Sequence, residues 1–131
     1  MHAAERWGWV SAAFLAGFLA VGIPYWSIPY SQIGLPYSLI GPALLVVAFA
    51  ALALRAVGAA AVWEAALATG LSVPACVLAR VAVEGMADPS SHNLWPLEVI
   101  LSLPVGAAAG VAGAVVGGLI AWLRARRATR G

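Results

Sequence analysis

Four long apolar stretches constrain this chain more than any other feature of its sequence, running approximately from Trp7 to Tyr25, Leu39 to Val57, Trp63 to Val83 and Leu97 to Leu123. Each is near the roughly 20 residues that cross about 30 Å of hydrocarbon at about 1.5 Å of helical rise per residue. In lipid every backbone amide must find its partner inside the protein, which leaves the helix as the element these stretches can form. Composition excludes the alternative of a soluble globule, because 63% of the residues are hydrophobic and only 9% charged, against about 25% charged in soluble domains. The expected fold is therefore all-α: one integral membrane domain of four transmembrane helices (7–25, 39–57, 63–83 and 97–123), outer loops at 26–38 and 84–96, and a basic tail at 124–131.

Tryptophan supports this division independently, since indoles concentrate at headgroup depth. Trp7, Trp9, Trp63 and Trp122 would mark one interface, and Trp26 and Trp95 the other, where Tyr25, Tyr30 and Tyr37 join them. All seven basic residues are arginine. The termini carry Arg6, Arg124, Arg126, Arg127 and Arg130, and the short second link carries Arg55, whereas the loops 26–38 and 84–96 contain no Arg or Lys. The positive-inside rule then predicts that both termini are cytoplasmic. The first 24 residues also have the outline of a secretory leader, with Arg6 ahead of an apolar run and Ala20-Val21-Gly22 as a small-residue site. The segment is read as a membrane helix that stays in the chain. Arginine without lysine, amid abundant Ala, Gly and Val, is the codon pattern of a GC-rich genome and points to a bacterial inner or plasma membrane.

Inside a bilayer an ionisable side chain costs about 2.5–3.5 kcal/mol on insertion scales, so each one is a candidate for function. Arg80 and Glu84 stand four residues apart on one helix face, where they can neutralise each other. Glu64, near the inner end of the third stretch, is expected to pair with Arg55 across the short link. In the last stretch Gly106, Gly110, Gly113 and Gly117 follow at steps of four, three and four, giving two GxxxG spacings on one stripe against which a neighbouring backbone can pack, within the chain or between subunits. The triplets Ile23-Pro24-Tyr25, Ile28-Pro29-Tyr30 and Leu35-Pro36-Tyr37 predict a stiff, irregular first outer loop lying along the interface.

The second outer loop is the most polar part of the chain: seven of the eleven side chains from Asp88 to Glu98 carry polar atoms. Asp88 before Pro89 fits a helix cap with proline at the first helical position, Pro96 can likewise begin the last helix, and Glu98 then suits the dipole of a first turn. Capping leaves His92 and Asn93 unexplained. The candidate ligand- or partner-binding set is thus Asp88, His92, Asn93, Trp95 and Glu98, read as recognition of a lipid headgroup or protein partner. A second reading gathers Glu84, Asp88, His92 and Glu98 as metal ligands or as an acid and base acting on an interfacial substrate, although one histidine with scattered carboxylates is a weak metal signature. A third, a small dimeric transporter or channel, needs a wet path to Glu64 or Arg80.

The single cysteine, Cys76, excludes an intrachain disulfide and a CxxC site. The sequence contains no nucleophile elbow, HExxH helix, P-loop or dinucleotide fingerprint, and no cofactor is expected. Small multidrug transporters share the span count, but the membrane-embedded glutamate of their first helix has no counterpart here. The terminal arginines lack interleaved stacking aromatics, so membrane lipids are the expected partners, with a protein partner or homo-oligomer in addition and no nucleic acid. The sequence-level conclusion is a non-enzymatic membrane subunit or binding protein.

Overall fold

The computed structural model of the protein describes residues 2–35, 37–88 and 95–130. Among them all regular structure is helical: α1 (Ala3–Trp26), α2 (Ala43–Ala56), α3 (Val62–Gly70), α4 (Ser72–Ala87) and α5 (Trp95–Arg130), with 3₁₀ turns at Tyr30–Gln32 and Tyr37–Leu39 between α1 and α2. Helices α3 and α4 form one column, Val62–Ala87, so the chain makes a bundle of four helices. Three of these, Ala3–Trp26, Val62–Ala87 and Trp95–Arg130, are long and apolar enough to cross a membrane, whereas α2 is a shorter apolar helix. Hydrogen bonds from Leu44 to Gly41 and from Leu45 to Pro42 carry its first turn outward.

The break between α3 and α4 follows from Pro74. Proline has no N–H for the carbonyl four residues earlier, and its ring crowds that carbonyl. Gly70 O is the group released, and it lies against the α-carbon of Gly106 on α5, where a Cβ would collide with it. The other three glycines of the stripe meet carbonyl oxygens in the same way. A Cβ at Gly110 would fall 2.6 Å from Ala66 O, one at Gly117 2.5 Å from Leu52 O, and one at Gly113 would strike Ala48 O. The stripe therefore faces two helices of its own chain: Gly106 and Gly110 meet α3, and Gly113 and Gly117 meet α2. Such close approach adds dispersion and weak Cα–H···O contacts where lipid gives no hydrophobic force between helices.

Two apolar clusters fill the bundle. Near the chain termini, Ala13, Ala51, Leu54, Ala59, Ala60, Ala65 and Ala114 pack with alanine-sized spacing. Near the loops, Val21, Tyr25, Leu39, Val47, Val73, Cys76 and Val77 form a bulkier layer. Buried hydroxyls bond to backbone carbonyls three or four residues earlier: Thr69 to Ala65 O at 2.8 Å, Ser72 to Thr69 O across the α3–α4 break at 2.5 Å and Ser102 to Val99 O at 2.6 Å. A polar group in a dry interior is tolerated when bonded in this way. Both chain ends lie at one end of the bundle, because Arg6 of α1 pairs with Glu64 of α3 and Gly118 of α5 faces Val62 and Arg55.

Candidate functional site

At the opposite, loop-bearing end the last turn of α1 lacks the amide donors of a helix interior, and short turn bonds from Ser27 and Ile28 N–H reach Pro24 O and Tyr25 O. Arg80 of α4 adds a charged donor there and in the turn just beyond. Its side chain is 7% exposed; Nη1 donates to Tyr25 O at 2.8 Å and Nη2 to Ile28 O at 2.6 Å, while Nε donates to Glu84. The guanidinium also lies 5.2 Å from the centre of the Tyr25 ring. One cation thus ties α4 to the electronegative end of α1, a location the helix dipole favours. Next to it the Trp26 indole N–H donates to Cys76 O at 3.0 Å, and the ring stands edge-on to Phe18 at 5.1 Å.

These contacts form one wall of a lateral groove of about 360 Å³ lined by Trp26, Ala79, Arg80, Val83 and Glu84. Val83, 69% exposed, opens it to the side of the bundle. The groove pairs apolar walls with a fixed cation and carboxylate, so it can receive an amphiphile. Among the described residues that line it there is no nucleophile; the nearby Cys76 Sγ is buried and bonds to Phe18 O and Ser72 O, each at 3.1 Å.

Of the loop residues singled out from the sequence, Asp88, Trp95 and Glu98 are described. Asp88 is exposed and closes α4 with extended backbone, its N–H donating to Glu84 O at 2.8 Å. Proline at 89 explains the extended geometry, because it disfavours the helical region for its predecessor. Trp95 begins α5 and is exposed, and Glu98 lies in the first turn, half-buried. His92 and Asn93 lie outside the described residues. Among the described residues no three of His, Cys, Asp and Glu gather as a metal-holding group, so Glu84, Asp88 and Glu98 do not assemble the metal set without His92.

Comparison with protein-family models, curated proteins and solved structures gives no match.

At the chain-terminal end one expected pairing is replaced. Glu64 engages Arg6 with one carboxylate oxygen and accepts the Ala61 N–H at 3.2 Å with the other. It sits at the third position of α3, where a glutamate can fold back over the helix start, and this turns the carboxylate toward α1. Arg55, the expected partner, lies instead over Gly117 and Gly118 of α5, and its Nε is buried without a hydrogen-bond partner among the described residues. Arg80 and Glu84 do pair with each other. Two features went unread in the sequence: the carbonyl bonds of Arg80, and the burial of Tyr25, which is 1% exposed and lies inside the bundle where an interfacial position was expected. The available signal was a lone arginine in an apolar span, facing a helix end that contains Pro24.

Proposed function

We propose that this chain is a non-enzymatic membrane subunit or binding protein whose outward loop end recognises a lipid. The observation that carries the reading is the lateral groove walled by Trp26, Val83 and the Arg80–Glu84 pair. A lipid combines a polar head with an apolar chain; the groove is almost wholly apolar and suits the chain, with the Arg80–Glu84 pair at its edge where the helices meet the loops. Arg80 supports the binding reading over transport, since its three kinds of nitrogen hold α1 and Glu84 and form part of the wall. The arginines of both termini support a cytoplasmic location for the chain ends, in a bacterial cell membrane. The GxxxG spacings serve the internal packing that keeps the groove in shape.

The test compares lipid retained by the detergent-purified protein, measured by mass spectrometry, for wild type, Val83→Trp, His92→Ala and Asp88→Ala. Val83→Trp fills the groove from an exposed position and is expected to lower retained lipid without lowering thermal stability. If His92→Ala also lowers it, the polar loop contributes to the site. Retention unchanged in Val83→Trp contradicts the groove as the site, and a protein that co-purifies in place of lipid would identify the loop end as a subunit contact.

A further inference from the structure

The opposite end of the bundle carries a second feature that the loop-end reading does not use. Helix α5 has 36 residues, about 54 Å at helical rise, against about 40–45 Å for a whole bilayer with its headgroups. Trp95 and Trp122, both exposed, are about 40 Å apart along it by the same rise, which matches the two interfaces. Residues 123–130 therefore continue as helix beyond the hydrocarbon.

At about 100° per residue, Arg124, Arg126, Arg127 and Arg130 fall within one sector of about 160°, and Ala125, Ala128 and Thr129 occupy the rest. Arg124 continues the line of the glycine stripe at one edge of that sector, Arg127 stands on the flank of α5, and Arg126 and Arg130 look away from α2 and α3. Nearer the membrane the same sector holds Leu123, Ile120 and Val116, of which Leu123 and Val116 are exposed. A notch of about 170 Å³ lies where the two surfaces join, lined by Ile120, Leu123, Arg124 and Arg127. Arg126 stacks over Trp122 at 4.8 Å, fixing the cation at the interface. Among the described residues none of these four arginines makes an ion pair.

A continuous surface on the flank of α5 that is apolar at hydrocarbon depth and cationic at headgroup depth is complementary to one kind of molecule. We propose that this end of α5 binds an anionic phospholipid, its phosphate held between Arg124 and Arg127 at the notch and one acyl chain laid along Leu123, Ile120 and Val116. A choline headgroup brings its own cation against Arg126 and Arg130 and is disfavoured, so the site selects net negative charge.

The test uses the full chain in neutral detergent with equal amounts of phosphatidylglycerol and phosphatidylcholine of identical acyl chains, and reads bound lipid by native mass spectrometry. Wild type is expected to prefer phosphatidylglycerol. Arg124→Gln/Arg127→Gln should reduce that preference roughly twenty-fivefold, from about fivefold per arginine, and added salt should weaken it. Ala125→Gln, in the other sector, should leave it unchanged. The proposal is overturned by an absent preference in wild type, by an equal loss in Ala125→Gln, or by displacement of the lipid with millimolar inorganic phosphate, which would mean that only the phosphate is read.

Discussion

Replacing Arg80 by Met retains most of the aliphatic stem and removes the guanidinium, so it isolates what the cation contributes. Hydrogen bonds from a charged donor contribute about 1.5–3 kcal/mol each, and two such bonds, to Tyr25 O and Ile28 O, are lost. The gross loss is about 3–6 kcal/mol. Against it stands the cost of keeping a cation in an apolar span, about 2.5–3.5 kcal/mol at mid-bilayer and less near the loops, which the variant no longer bears. A net destabilisation of about 1–3 kcal/mol results. Glu84→Gln should cost under about 1 kcal/mol, because the carboxylate is 28% exposed and exposed pairs four residues apart contribute about 0.3–0.5 kcal/mol. Arg80→Lys should fall between wild type and Arg80→Met, since a single ammonium cannot span two carbonyls and a carboxylate with a planar fork. Titration of SDS into mild-detergent micelles, followed by far-UV circular dichroism, gives the ordering. Wild-type stability in Arg80→Met, or an equal loss in Glu84→Gln, would refute the assignment of Arg80 as the tie between α1 and α4.

Gly113→Ala and Gly110→Leu should each destabilise by about 2 kcal/mol or more, because backbone carbonyls of α2 and α3 occupy the space a Cβ needs; the same titration should find Gly8→Ala silent, and size-exclusion chromatography should find oligomeric state unchanged. A double-mutant cycle of Arg6→Gln with Glu64→Gln should show coupling below about 1 kcal/mol for this half-exposed pair, whereas Arg55→Gln with Glu64→Gln should show none. Cysteines introduced at Ser31 and Thr129, in a background lacking Cys76, should label from opposite sides of the membrane, Thr129 from the cytoplasm; labelling from one side contradicts the topology.

Where the sequence was informative, the signal was periodic or compositional. Apolar runs ending at tryptophans announce helices because both the span length and the interface are set by the bilayer, and the arginine next to Glu84 announces its partner because four residues make one helical turn. The glycine stripe was visible too, but spacing on one helix says nothing about which neighbours it meets, and here it divides between α2 and α3. Glu64 illustrates the harder class. Arg55 is nearer in sequence, yet the carboxylate turns toward Arg6, 58 residues away, because helix packing and not chain distance decides which side chains meet. Tyr25 resembled an interfacial residue from its place at the end of an apolar run; the return of Arg80 over its ring, with the shielding of α4, buries it. The groove depends on that same long-range meeting of α1 with α4 and could not be read from either segment alone.

We propose that the loop-end groove of this bundle holds a lipid. This is tested most directly by extracting wild type and Val83→Trp from their native membrane in polymer-bounded discs, transferring both to lipid-free detergent, and determining what remains bound. One lipid species should remain in near-stoichiometric amount with wild type and be lost with Val83→Trp at unchanged stability. Equal retention by the two proteins, or none by either, contradicts it.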